Sequence, residues 1–453
     1  MKTKHEHWSS KIGFILATAG AAVGLGSLWK FPYVAGVNGG GAFVLLYILF
    51  TFTIGLPVFM AELIIGRKTQ KSSVLAFPSL RKNGENWRGL GWMNFMTTLI
   101  ILSYYSVIAG WVLSYVFMSL NKFSDGKTPA QIQESFTLLS TSLGISLLWF
   151  GLYLLLNLGI ILSGVKKGIE HFSKIMMPAL FIILLGLFFY AMTLKGFGQA
   201  VSFVFAPKFS ELTSQGFLSA LGMAFFTLSV GLGINITYGS YMHKGENIPN
   251  NSLIITAMTV CVSILAALVI FPIVFTFGFA PQGGPGLIFQ TLPVVFAQLP
   301  AGVLLSTVFF ILVLFAALTS TIALLEVLVA NVVENFNISR TKAAVIITVV
   351  VFILGIPSAS VGAGSLFSSW ESIYSKNFFD TVDYISSNWL MPVSALFTAI
   401  FIGWFTKEEE IKNEFRLGTS LGWIVSPWFF MVKFVAPLLV IIIILQEAGL
   451  IKI

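Results

Sequence analysis

The feature that most constrains this chain is a succession of apolar runs long enough to cross a lipid bilayer. Windows of about 19 residues pick out segments near 12–37, 41–66, 90–121, 143–163, 170–194, 216–242, 250–279, 302–335, 342–357, 384–406 and 422–447. The hydrocarbon core is spanned by about 20 apolar residues in a helix, and a helix satisfies all its backbone groups internally where no water can. Hydrophobic residues make up 57% of the 453 and charged residues 10%, against about 25% charged in an ordinary globular protein. A water-soluble fold is excluded. The expectation is an all-α polytopic membrane protein with about 11 transmembrane helices. The first segment runs to about Val37 without a small-residue cleavage site, so it reads as a retained span and not as a signal peptide.

The 26 Lys and Arg outnumber the 18 Asp and Glu, a net charge of +8. Basic residues of membrane chains gather in cytoplasmic loops, so the excess does not imply nucleic acid. Eighteen of the 26, among them Arg67, Arg88, Lys166, Lys244, Arg340 and Lys407, fall in the N-terminal segment or in loops on its side of the membrane. The N-terminus is therefore expected in the cytoplasm and the C-terminus outside. The single cysteine, Cys261, lies inside an apolar run, which leaves no disulfide framework and no thiol metal site. There is no phosphate-cradling loop and no nucleophile constellation, so neither an enzyme nor an ATP-driven pump is expected. The segment PQGGPGLIFQTLPVVFAQLP, Pro281 to Pro300, is too broken by Pro and Gly to span and too apolar for a solvated loop. It reads as an external lid or a re-entrant hairpin.

Two spans carry the same interruption, Val23-Gly24-Leu25-Gly26 in the first and Val230-Gly231-Leu232-Gly233 in the sixth. Glycine costs about 1 kcal/mol relative to Ala inside a helix, and an unwound backbone at membrane depth needs other partners. A shift of five spans inverts the second copy, which is the layout of an inverted 5+5 repeat with discontinuous helices 1 and 6. The chain then forms one transporter domain over 1–453, with a first repeat at about 12–194, a second at about 216–406 and an extra helix at about 422–447. The alternative is two unrelated pairs of packing glycines.

Unwinding frees carbonyl oxygens for a small cation and leaves half-helix N-termini that suit a carboxylate. The oxygen-bearing residues nearby are Ser27, Thr227, Ser229 and Asn235, with Thr259 in span 7 and Thr319 and Ser320 in span 8. Hard neutral oxygens suit Na⁺ better than a transition metal. Each hydroxyl alone could instead bond back to its own helix.

These residues sit in a longer signature. His7-Trp8, then GAAVGLGSLWKFPY at 20–33, NGGGAF at 38–43, Tyr104-Tyr105, FTLS at 226–229 and AALTS at 316–320 together resemble the neurotransmitter:sodium symporters, above all their bacterial amino-acid branch. The resemblance covers essentially the whole chain and implies a leucine-transporter-like fold in a bacterial cell membrane. It implies two sodium sites. The first would use Ala22, Ser27, Thr227 and Thr259, with Ser27 and Thr259 standing where many relatives have Asn. The second would use Gly20, Val23, Ala316, Thr319 and Ser320.

By the same resemblance the substrate carboxylate would meet the amides of Leu25 and Gly26 and the hydroxyl of Tyr105. The ammonium would face carbonyls of Ala22, Phe226, Thr227 and Ser229. The side chain would meet Ile101, Phe226, Leu232, Ser320 and Leu324. Monoamine transporters carry an Asp where this chain has Gly24, so an amino acid is implied. Leu232 stands where leucine-selective relatives often have Phe, which implies a broad pocket for hydrophobic and aromatic L-amino acids. Lys30 and Asp383 would form the outer gate under which Phe226 closes, and Trp8 and Glu334 the inner one, with His5 where an Arg is common. Tyr47, Thr227 and Ser263 match the chloride site of chloride-dependent relatives, but Met223 replaces a common Gln, which leaves chloride open. Glu62 reads either as an interfacial carboxylate or as the group that holds the free amides of helix 6, and Glu326 as a partner of Tyr241 or a structural acceptor. Gly168 and Pro178 mark span 5 as able to bend or unwind. The implied activity is sodium-coupled symport by alternating access. A sensor using the same site and a proton-coupled carrier of the same fold are the alternatives.

Overall fold

The computed structural model describes residues 6–81, 84–278, 286–363 and 369–451. Among them nine helices are long and apolar enough to cross a bilayer: Gly41–Thr69, Glu85–Leu120, Leu143–Leu162, Val165–Ala191, Ile248–Thr276, Gly302–Phe336, Arg340–Ala359, Phe378–Phe405 and Gly422–Glu447. Two further spans are broken. Span 1 consists of Lys11–Ala22 and Gly26–Val37, bent by 49°, and span 6 of Ser214–Thr227 and Ile234–Ser240. The nine together with these two reproduce the order of apolar runs in the sequence, so the intact helices are numbered here as spans 2–5 and 7–11.

Burial separates the spans into centre and periphery. The apolar window of span 3 is 89% buried and that of span 8 is 78%, whereas those of spans 4, 5 and 11 are 39%, 33% and 39% buried. The central pair packs along its length, and spans 1 and 6 lie against it. The outward faces of the peripheral spans stay apolar, with Leu148, Ile182 and Leu438 exposed, as a lipid solvent permits.

Among the described residues, and besides shorter pieces such as Ser73–Ser79, three helices of nine or more residues outside the spans went unrecognised in the sequence. Pro129–Thr141 follows span 3 and starts with a capping box built by Thr128 and Gln131. Phe197–Phe205 follows span 5. Glu408–Arg416 follows span 10 and is tied to span 2 by Arg67, which is fully buried and meets Glu414 at 2.7 Å. The Pro/Gly-rich segment after span 7 becomes a short buried helix, Leu287–Gln298, whose Phe289 stacks on Phe136 and gives its carbonyl to the Tyr115 hydroxyl at 2.7 Å. Residues 281–285 of that segment lie outside the described residues.

Candidate functional site

The helix of span 1 stops at Ala22, and Val23 leaves helical geometry (φ −86°, ψ 74°). The Leu25 amide has no helical carbonyl to reach and donates to the Tyr105 hydroxyl of span 3 at 2.8 Å. In span 6 the break holds three residues in the left-handed region, Ser229 (φ 52°), Gly231 (φ 83°) and Gly233 (φ 72°). The glycines adopt it without a Cβ penalty. Ser229 is kept there with its hydroxyl donating to the Ala21 carbonyl at 3.2 Å. From span 8, Ser320 donates to the carbonyls of Gly20 and Ala21 at 3.2 and 3.1 Å. Two hydroxyls from different spans thus converge on carbonyls that the break in span 1 deprives of helical partners.

Glu62 of span 2 is fully buried. One carboxylate oxygen accepts the Gly231 amide at 2.9 Å and the other the Asn235 side chain at 2.8 Å. A carboxyl inside a span is expensive and needs such partners; here it supplies the acceptors that the unwound segment of span 6 lacks.

Between the breaks lies a cavity lined by Ala21, Ala22, Gly24, Gly26, Ile101, Tyr105, Phe226, Ser229, Leu232, Ile234, Ser320 and Leu324. Of the expected substrate contacts, all but Leu25 and Thr227 line it. Leu25 borders the larger cavity on the side away from the N-terminus. The Thr227 hydroxyl turns the other way, donating to the Met223 carbonyl at 2.9 Å and accepting from Tyr47 at 3.1 Å. The structure adds Ala21, Gly24 and Ile234 to the lining; their adjacency to the breaks was the one signal for them in the sequence. A Cβ at Gly24 would sit 2.7 Å from the Tyr105 hydroxyl and also against that of Ser320, so any side chain there enters the cavity. The polar part of the lining, Tyr105, Ser229 and Ser320, gathers on the break in span 1, where the three hydroxyls meet the Leu25 amide and the carbonyls of Gly20 and Ala21. The rest is apolar, formed by Ile101, Phe226, Leu232, Ile234 and Leu324.

The residues of the two expected cation sites are buried. Ser27 donates to the Ala22 carbonyl at 3.5 Å, and Thr259 to its own Ile255 carbonyl at 2.9 Å. Thr319 donates to the carbonyls of Phe315 and Ala316, each at 3.0 Å. Span 1 comes so near span 8 that a Cβ on Gly20 would lie 3.0 Å from that of Thr319. The donor set is neutral hydroxyl and carbonyl oxygen, which fits Na⁺. In the third cluster Tyr47 reaches Thr227 at 3.1 Å and Ser263 at 3.3 Å. The Thr227 and Ser263 protons serve backbone carbonyls of Met223 and Thr259.

Cavities of about 470 and 490 Å³ flank the site, the first away from the N-terminus and the second beside it. Phe226 and Tyr105 line both the central cavity and the first flanking one, and so partition them. Above Phe226, Lys30 meets Asp383 and Ser387, each at 3.2 Å, and lies 4.4 Å from the ring centroid. Tyr104 donates to the same Asp383 at 2.8 Å.

On the N-terminal side Trp8 is fully buried, donating to the Tyr238 carbonyl at 3.0 Å and packed edge-on against Tyr238 and Tyr241. Glu334 lines the flanking cavity and is engaged by Ser72, whose amide and hydroxyl reach it at 2.9 and 2.7 Å. The expected latch residues Trp8 and Glu334 therefore have separate partners, and His5 lies outside the described residues. Glu326 accepts from Tyr241 at 2.6 Å and from Arg340 at 2.9 Å. The sequence placed Arg340 among the loop cations, because nothing local shows that the chain folds it back onto Glu326. Glu170, also unanticipated, accepts the amide of Ser9 at 2.7 Å and ties the N-terminal segment to span 5. Span 5 opens with a π-turn over Val165–Glu170 and runs unbroken through Pro178.

The model of the sodium:neurotransmitter symporter family matches residues 5–128 and 132–452. The chain belongs to this family. An uncharacterized sodium-dependent transporter of Bacillus subtilis is 39% identical over 99% of both chains, and one of Haemophilus influenzae 36% identical over 98% of both. The human sodium- and chloride-dependent GABA transporter 2 is 28% identical over 88% of this chain and 72% of its own. Among solved structures, MhsT in complex with L-phenylalanine superposes with a TM-score of 0.91 at 38% identity, over 98% of this chain and all of that one. The chain is thus a multi-pass membrane protein with the leucine-transporter-like fold, from a family of sodium-dependent transporters and not of enzymes.

Proposed function

We propose that the protein carries hydrophobic and aromatic L-amino acids into the cell together with sodium, by alternating access through the cavity between the two broken helices. The observation that carries this reading is the divided lining. Its polar part, gathered at the break, suits an ammonium and a carboxylate, and its five apolar side chains suit an uncharged side chain. The binding of L-phenylalanine by MhsT supports the same class.

In this reading the substrate carboxylate takes the Leu25 and Gly26 amides and the Tyr105 hydroxyl, and the ammonium takes the carbonyls of Ala22, Phe226, Thr227 and Ser229. Sodium is cargo bound at two places. One is formed by Ala22, Ser27, Thr227, Thr259 and the substrate carboxylate, the other by Gly20, Val23, Ala316, Thr319 and Ser320. The protons of Ser320 and Thr319, now on carbonyls of spans 1 and 8, turn aside when a cation replaces them. That exchange couples ion binding to the fit of span 1 on span 8. Each sodium entering contributes about 2.3 kcal/mol per 100 mV.

The N-terminus lies in the cytoplasm, so Lys30, Asp383 and Phe226 close the outer path and Trp8 and Glu334 guard the inner one. The hydroxyls of Thr227 and Ser263 already donate to backbone, which favours transport without chloride. The test is uptake of labelled leucine and tryptophan by liposomes containing the purified protein. An inward sodium gradient drives both, and replacing chloride by gluconate changes neither. Uptake indifferent to sodium, or glycine and glutamate outcompeting leucine, would overturn the assignment.

A further inference from the structure

Thr98 lies three residues before Ile101 and seven before Tyr105 on span 3, so the three share one helix face. Ile101 and Tyr105 line the cavity; Thr98 is fully buried about one turn before Ile101 and two before Tyr105. A buried threonine in a helix commonly donates to the carbonyl four residues back, as the neighbouring Thr97 does to Met93 at 2.8 Å. Thr98 instead donates across to span 6, to the carbonyl of Leu232, at 2.6 Å. Leu232 stands between Gly231 (φ 83°) and Gly233 (φ 72°), two residues whose missing side chains leave its backbone little local restraint. What holds this stretch comes from outside it, Glu62 on the Gly231 amide and Thr98 on the Leu232 carbonyl.

From this we infer that Thr98 is a positioning residue for substrate selectivity: its hydrogen bond sets how far the Leu232 side chain reaches into the cavity. The inference rests on the amino-acid reading above. Without the bond a buried carbonyl lacks its donor, and the Leu232 backbone relaxes away from span 3. A small aliphatic substrate then loses contact with Leu232. A large aromatic one keeps its contacts with Ile101, Phe226 and Leu324.

The experiment compares wild type, Thr98→Val and Thr98→Ser in liposomes under a sodium gradient. Wild-type uptake is first profiled over the common amino acids, which tests the substrate class alone. Saturation curves are then taken for the smallest and the largest substrate that the wild type accepts, whichever they are. One lost buried hydrogen bond is worth a factor of about 5 or more. Thr98→Val should therefore raise KM for the small substrate ~5-fold, and that for the large one by less than ~2-fold, with Vmax nearly constant. Thr98→Ser should track the wild type. If Thr98→Val does not reach the membrane, Thr98→Cys, a weak donor, carries the test with a smaller shift in the same direction. Unchanged KM values, an equal shift for both substrates, or failure of Thr98→Ser to restore the small one would overturn the inference.

Discussion

Single atoms decide the chemistry at this site. Gly24 is such a case, since its absent Cβ is the space between the Tyr105 and Ser320 hydroxyls. The methyl of Gly24→Ala crowds both hydroxyls, and overpacking costs about 1–3 kcal/mol, so the protein that does fold should show an apparent KM for amino acids raised ~10-fold; uptake kinetics in liposomes, normalised to folded protein, measure this. Thr319 tests the second cation position. A hydrogen bond to a charged group is worth about 1.5–3 kcal/mol, and an oxygen facing a cation is of the same order. Thr319→Ala should accordingly raise the sodium concentration for half-maximal uptake ~10-fold or more. An unchanged sodium dependence would remove Thr319 from the ligand set. Both substitutions act on groups whose residue types the sequence displays openly. What it does not display is direction: Thr227 carries a hydroxyl as expected, yet turns it to Met223 and Tyr47, away from the cavity.

At the level of elements the molecule is two interrupted helices held open by their neighbours. The break in span 6 is maintained by Glu62 from span 2 and Thr98 from span 3, and that in span 1 by Tyr105 from span 3 and Ser320 from span 8. Such a segment is stable only while each freed backbone group has a partner. Glu62→Leu strands the Gly231 amide, at about 1–3 kcal/mol for a buried unpaired group, and leaves the Asn235 side chain only the carbonyls of Leu228 and Ser229 at 3.2 and 3.4 Å. It should lower the melting temperature of the detergent-solubilised protein and abolish uptake. Glu62→Gln, which keeps one acceptor oxygen, should be milder in both. Equal melting temperatures for Glu62→Leu and wild type would show that the carboxyl does not support the break. The paired glycines announced both breaks in the sequence. The supports did not show there, because a carboxyl on span 2, a threonine and a tyrosine on span 3 and a serine on span 8 have no local mark of pointing at an unwound backbone.

Over the whole molecule, the sidedness of the charges follows the N-terminus. If the basic loops are cytoplasmic, the loop after span 3 faces outside and the helix Glu408–Arg416 faces inside. In a Cys261→Ser background, Lys127→Cys should react with a membrane-impermeant maleimide in intact cells. Glu409→Cys should react only after permeabilisation; the reverse pattern would invert the assigned orientation. In the transport cycle proposed above, Lys30 with Asp383 and Phe226 forms the closure away from the N-terminus, and Trp8 packed on Tyr238 and Tyr241 the closure beside it.

The order of the spans and the two interrupted helices were legible in the sequence itself, and most residues that line the cavity were named only through the family resemblance. Bilayer thickness dictates the length of an apolar run, and glycine pairs are costly enough in a helix to mark where it stops. The amphipathic helices outside the bilayer were not legible, because Pro129–Thr141 and Glu408–Arg416 are too short and too polar for a hydropathy window. Nor were the pairings Glu326 with Arg340, Glu170 with Ser9 and Thr98 with Leu232. In each of these a side chain is joined to a group on another element, and which elements meet is set by packing over the whole bundle. The sequence determined which groups need a partner in a medium without water; the tertiary structure decided which partner each one has.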